Sequence, residues 1–275
     1  MNSVEAFRRK WRTRPHKALI SVHRGLWGPA PENSCAAIVA ATPFGIIEID
    51  VQMARDAVPV VIHDPDLQRT AGKTLVPQSV DSTELIAQRL LVGAGGPDAG
   101  WSDQSLPTLT QAIEAAGPNA YFDFDVKYPG EVAAVGQFLS DANLTRFGSL
   151  KIDIATTGDI DQLLDLQNRF GIMVMAKVVL PDAGLEHIQM LKDAGVAAAE
   201  VWFDDLDQLG EACAIAGDQM AISTFTLDPV HCCGLSDAKA EEDPDAVWGR
   251  LLDAGVTILM TDKAERLEQY LQEIA

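Results

Sequence analysis

Four short stretches of this 275-residue chain carry side chains suited to acid–base and metal chemistry. They are His23-Arg24, Glu48-Ile49-Asp50, His63-Asp64 and Asp123-Phe124-Asp125-Val126-Lys127. In a strand, residues i and i+2 project to the same side, which groups Glu48 with Asp50, and Asp123 with Asp125 and Lys127. Neighbouring carboxylates repel and are costly to bury unless a cation or a hydrogen-bond network compensates them. Three or four converging acids suit a hard divalent cation such as Mg²⁺, Ca²⁺ or Mn²⁺. No Cys/His ligand set points to zinc. Histidine, with an unperturbed pKa of about 6.5, serves as general base or general acid near neutrality. With Arg24 and Lys127 to hold phosphate oxygens, these groups make a site for moving a phosphoryl group.

The elements that must position them are short apolar runs alternating with longer amphipathic stretches. Candidate strands are Leu19–His23, Ile46–Val51, Ala120–Val126, Leu150–Ala155, Ile172–Val178, Ala197–Trp202, Met220–Phe225 and Val256–Met260. Helix-like segments lie between most of them, and several end at a glycine, as in Ala116-Gly117, Ala194-Gly195 and Ala254-Gly255. This alternation predicts a (β/α)8 TIM-type barrel in one domain, with a doubly wound open sheet as the alternative. Barrel enzymes gather their catalytic groups at the C-terminal ends of the strands, and the ends here are unusually polar. The run Val60-Val61-Ile62-His63-Asp64 follows the second strand too closely for a parallel crossover. It should pair as a β-hairpin that returns His63 to the barrel mouth. Residues from about 65 to 106, rich in Gly, Pro, Ser and Asp, read as an insertion over that mouth, with one helix-like patch at Ser82–Leu91.

Composition narrows the function further. A net charge of −19 argues against a general binder of nucleic acid or anionic membrane. No apolar run approaches a membrane span, and the N-terminus lacks the apolar middle of a signal peptide. Four cysteines without regular spacing fit reduced thiols and a cytoplasmic location. The basic segment within residues 1–17 reads as a solvated N-terminal helix or arm, and His231-Cys232-Cys233 as a loop with incidental residues.

These motifs, in this order and spacing, resemble the glycerophosphodiester phosphodiesterase family over nearly the whole chain. The matching pieces are His23-Arg24-Gly25, Pro31-Glu32-Asn33-Ser34, Glu48-Ile49-Asp50-Val51, Val60-Val61-Ile62-His63-Asp64, Leu106-Pro107-Thr108-Leu109, and Gly255-Val256-Thr257-Ile258-Leu259-Met260-Thr261-Asp262. The resemblance implies a metal-dependent phosphodiesterase on a TIM-like barrel. It would hydrolyse glycerophosphodiesters to sn-glycerol 3-phosphate and an alcohol. His23 and His63 carry over as the acid/base pair, Glu48 and Asp50 as metal ligands, and Arg24 and Lys127 as phosphate contacts. The family's third acid usually stands in Glu-x-Lys; here the position is Asp125, whose shorter arm moves a metal inward or demands an intervening water. Asp-x-Lys also suggests a second outcome, lyase-like transfer that yields a cyclic phosphate. A catalytically inactive metal-binding barrel is a third. Two smaller departures are Ala57, where the family often has a turn glycine, and Ala264, where it often has proline.

Alternation adds further inward candidates. Asp123 and Glu200 are candidate extra ligands, and Trp202 a wall for the alcohol headgroup. Lys151 and Lys177 are alternative partners for Glu48 and Asp50. Asn33 and Ser34 read as the N-cap of the following helix, and Glu32 as a brace for the His23-Arg24 turn.

Overall fold

The computed structural model describes residues 3–275. Eleven strands occur among them: β1 (Leu19–Val22), β2 (Gly45–Met53), β3 (Pro59–Val61), β4 (Arg89–Leu91), β5 (Trp101–Ser105), β6 (Phe122–Val126), β7 (Gly148–Asp153), β8 (Met173–Val179), β9 (Ala198–Trp202), β10 (Ala221–Phe225) and β11 (Ile258–Thr261). The main sheet runs β1-β11-β10-β9-β8-β7-β6-β2-β3, and β1 also pairs with β2. The registers β2–β6, β6–β7, β8–β9, β9–β10 and β10–β11 are parallel. β3 joins this sheet antiparallel, against β2. This is the expected (β/α)8 barrel with a hairpin after its second strand. The chain divides into two compact units, residues 22–150 and residues up to 21 together with 151–275.

In the unit of residues 22–150, β2 alternates Ile47, Ile49 and Val51 with Glu48, Asp50 and Gln52, and all six are buried. Phe122 and Phe124 of β6 stack at 5.5 Å between ring centroids, on the face opposite the acids. The hairpin pairs Val51 with Val61 and Met53 with Pro59. Its turn places Ala57 in the left-handed region at φ 60. Ser34 caps the helix Cys35–Ala41 by accepting from the Ala37 N–H, and Thr108 and Gln111 form a capping box on Leu109–Ala116.

The insertion is more structured than its composition implied. Its helix-like patch is helical only over Ser82–Leu85, and Arg89–Leu91 pairs with Trp101–Ser105 as a separate antiparallel hairpin. Leu67, Ala71, Leu85, Leu90 and Leu106 pack on Val60 and Ile62 of the β3 run. Apolar burial therefore fixes the insertion on the segment that carries His63.

The other unit holds the N-terminal helix Ser3–Arg12, which is not a solvated arm. Phe7 and Trp11, one turn apart, are 1% and 3% exposed, so the basic residues flank an anchored apolar stripe. Residues 1 and 2 of the expected arm lie outside the described residues. Cys232 is buried and its thiol is pushed up to about 11 by burial; all four cysteines are free.

This unit also contains a buried carboxylate that makes its stability depend on pH. Asp237 accepts from Thr226 Oγ1 at 2.5 Å, Thr261 Oγ1 at 2.7 Å and the Asp262 N–H at 2.8 Å. Burial pushes its carboxyl up to about 6 in spite of these bonds. Between an unfolded value of about 4 and that folded value, the native chain holds a proton that the unfolded chain has released. Stability is thus expected to fall as pH rises through this window, by about 3 kcal/mol in all. Urea unfolding of wild type and Asp237→Asn tests this: the difference between them should change across the window and level off on either side. Parallel pH profiles would refute the assignment.

Candidate active site

The β2–β6 register sets Glu48 beside Asp123 and Asp50 beside Asp125. From this frame Glu48, Asp50 and Asp125 converge, one oxygen of each lying within 4.8 Å of the other two. Asp123, one pair earlier on the same face, is not part of that group. Glu48 and Asp50 are 2% and 1% exposed, so their charges are largely removed from water.

Positive groups answer them. Lys127 Nζ lies 3.1 Å from Asp50 Oδ1 and 3.0 Å from Asp125 Oδ2. Arg24 donates its backbone N–H to Glu48 Oε2 at 3.0 Å, and its Nε stands 3.2 Å from Asp50 Oδ2. Burial by itself would raise the Asp50 carboxyl, but Lys127, Arg24 and His63 outweigh it and hold the group below the usual carboxylate range. Burial likewise opposes the Lys127 charge, and Asp50 and Asp125 reverse that and raise its pKa. Asp50 therefore stays ionised at neutral pH. An all-oxygen set of three carboxylates at this separation fits a hard divalent cation.

The turn after β1 is built for close approach. Arg24 has φ 55, and Gly25 follows at φ 76, where a Cβ would meet the Ala37 carbonyl carbon at 2.7 Å. Glu32 does brace this turn, accepting from Arg24 Nη1 at 3.0 Å. Asn33 is not the cap. It donates Nδ2 to Asp50 Oδ2 at 2.8 Å and accepts the Asp50 N–H at 3.2 Å, fixing the central acid at both ends.

On the hairpin, the Ile62 N–H donates to the Asp50 carbonyl at 3.0 Å, so the chain returns alongside the acids. His63, about a third exposed, sets Nδ1 2.8 Å from Asp64 Oδ1. Two further residues hold this segment, and sequence reasoning passed over both. Gln52 Nε2 donates to the carbonyls of Ile62, His63 and Asp64 at 3.1, 3.1 and 2.7 Å. Its position two residues after Asp50 was the available signal. Arg69 Nε and Nη2 grip Asp64 at 2.7 and 2.8 Å. Burial works to raise the Asp64 carboxyl, but the bonds from Arg69 and His63 prevail and bring it to about 2.

In the other unit, Glu200 of β9 is bound by Lys151 Nζ at 2.7 Å, and Lys177 Nζ stands 3.7 Å from Asp153. Trp202 is the last residue of β9 and half-buried. His23 directly follows β1 and precedes the Arg24 turn.

The profile of the glycerophosphoryl diester phosphodiesterase family matches residues 23–266. The chain belongs to this family. Among relatives of this family member, human glycerophosphodiester phosphodiesterase 1 is 34% identical over 113 residues, 38% of this chain and 32% of the human protein. The Caldanaerobacter subterraneus glycerophosphodiester phosphodiesterase is 31% identical over 122 residues, 42% of this chain and 49% of that one. The matched region thus spans about a third to a half of these curated relatives. A glycerophosphoryl diester phosphodiesterase structure from Parabacteroides distasonis superposes with a TM-score of 0.78 at 20% identity, covering 100% of this chain and 93% of that one. A phosphodiesterase from Oleispira antarctica, in complex with the product sn-glycerol-3-phosphate, gives a TM-score of 0.67 at 19% identity, covering 92% and 96%. Both likenesses agree with the barrel described above. No described helix is long and apolar enough to cross a membrane.

Proposed function

We propose that this chain hydrolyses glycerophosphodiesters, the deacylated remains of phospholipids, to sn-glycerol 3-phosphate and a free alcohol. The observation that carries the reading is the convergence of Glu48, Asp50 and Asp125 beside Lys127, Arg24 and the His63 hairpin. The product bound in the Oleispira antarctica phosphodiesterase supports the substrate class.

In this reading Glu48, Asp50 and Asp125 hold a divalent cation, Mg²⁺, Ca²⁺ or Mn²⁺. When bound, the cation supplies Lewis-acid stabilisation of charge on the phosphate. Lys127 and Arg24 add N–H donors for the charge that builds on the phosphate oxygens. Asp64, ionised throughout the neutral range, holds a proton on His63 Nδ1 and leaves Nε2 to take or give one. His63 and His23 form the acid/base pair: one removes a proton from the attacking water, and the other protonates the departing alkoxide. The cytoplasm is the compartment we assign, on the strength of four free, irregularly spaced thiols.

The test uses metal-stripped protein given glycerophosphocholine and glycerophosphoethanolamine, with each cation added in turn. Phosphorus NMR reads the products. Cation-dependent appearance of glycerol 3-phosphate is the expected result. An accumulating cyclic phosphate would replace hydrolysis with intramolecular transfer, and no turnover of either substrate would refute the substrate class.

A further inference from the structure

We propose that Arg69 is a positioning residue that locks the His63 imidazole and the Arg24 guanidinium into one rigid unit. The inference rests on the reading above, in which those two groups act on the phosphodiester, and it adds a residue outside every motif that identified the site.

Arg69 lies in the short helix Gln68–Ala71 of the insertion, and its guanidinium spans two carboxylates. On one side Nε and Nη2 bond both oxygens of Asp64 at 2.7 and 2.8 Å. On the other, Nη1 and Nη2 bond both oxygens of Glu32 at 2.9 and 2.7 Å. The oxygen of each carboxylate that Nη2 bonds is shared with the site: Asp64 Oδ1 also meets His63 Nδ1 at 2.8 Å, and Glu32 Oε1 also accepts from Arg24 Nη1 at 3.0 Å. The sequence Arg24–Glu32–Arg69–Asp64–His63 is therefore one continuous chain of charge-assisted hydrogen bonds, with Arg69 at its centre.

Only an arginine serves there. Its planar fork offers five N–H donors in fixed directions, whereas a lysine presents a compact point charge that cannot grip two carboxylates edge-on. The backbone around it is shaped to match. The Gly96 N–H donates to the Arg69 carbonyl at 2.8 Å, and a Cβ on Gly95 would meet that carbonyl oxygen at 2.3 Å. Arg69 Nη1 also donates to the Ala94 carbonyl. Glu32 in turn donates its N–H to the Gly93 carbonyl at 3.0 Å. The glycine-rich turn thus wraps the arginine, which ties the insertion to the two groups that would face the phosphate.

The test combines kinetics with nitrogen NMR on protein carrying labelled histidine. Wild type should show His63 with its proton held on Nδ1 toward Asp64. In Arg69→Gln and Arg69→Lys, Asp64 loses its clamp, and the His63 nitrogen signals should shift toward a tautomer mixture. Turnover of glycerophosphocholine should drop about ten- to a hundred-fold in kcat, the range for loss of a group that orients a site residue, with KM moving far less. In Arg69→Ala, added guanidinium should restore part of kcat. Folded variants with unchanged His63 signals, or a wild type whose His63 is mainly Nε2–H, would overturn the proposal. Absence of turnover in wild type itself would sink the substrate assignment, while the NMR comparison would still decide the role of Arg69.

Discussion

His63→Asn is expected to lower kcat by about a hundred- to ten-thousand-fold, the range for removing a positioned general acid or base. Asparagine is the informative replacement because its amide N–H can reach Asp64 much as Nδ1 does, at 2.8 Å in the native chain. The Asp64–Arg69–Glu32 bonds and the three Gln52 contacts to the hairpin carbonyls then stay satisfied. What vanishes is Nε2, the nitrogen that in the proposed mechanism exchanges a proton with the reacting oxygen. Thermal unfolding should be nearly unchanged while steady-state turnover collapses. A variant within tenfold of wild type would remove His63 from the acid/base pair and leave His23 to carry both transfers.

Stripping divalent cations should have a comparable effect. Several kcal/mol of charge stabilisation at the phosphate would be lost, which corresponds to about a hundred-fold or more in rate. Glu48→Gln separates binding from catalysis. It removes one of three converging charges but keeps an oxygen for the Arg24 N–H, now 3.0 Å away. Calorimetry with Mg²⁺, Ca²⁺ or Mn²⁺ should register binding to wild type and a sharp loss in this variant, whatever the substrate proves to be. Undiminished cation affinity would take Glu48 out of the ligand set.

The barrel was legible because its signal is local. Runs such as Ile172–Val178 and Met220–Phe225 are apolar enough to declare themselves, and glycines at the helix ends punctuate them. Glu48, Asp50 and Asp125 were legible for the same reason, since two-residue alternation on a strand is a property of consecutive residues. The insertion was not. Its helix Ser82–Leu85 is too short to express a helical period, and its hairpin joins Leu90-Leu91 to the polar run Trp101-Ser102-Asp103-Gln104-Ser105, which shows no apolar alternation. Arg69 was invisible because its partners, Glu32 and Asp64, are brought to it by the fold. The helix Ala264–Glu273 went unread although Leu267, Tyr270 and Leu271 mark its buried stripe at helical spacing. Phe7 and Trp11 carried a similar signal, masked by the arginines around them.

The left-handed alanine in the β2–β3 turn gives this protein an unused reserve for adaptation. At φ 60, Ala57 holds a backbone conformation that its Cβ disfavours. Glycine would relieve that strain, partly offset by the greater freedom it gives the unfolded chain. Ala57→Gly should therefore raise stability by about 0.5–1 kcal/mol, seen as a rise of about 1–3 °C in the thermal midpoint. The change lies six residues from His63 in sequence, at the far end of the hairpin, and alters none of the site's polar contacts. A single conservative step at that turn would absorb the cost of a destabilising substitution elsewhere in this unit without loss of the folded state; a midpoint that falls instead would show that the alanine methyl contributes more than the strain it brings.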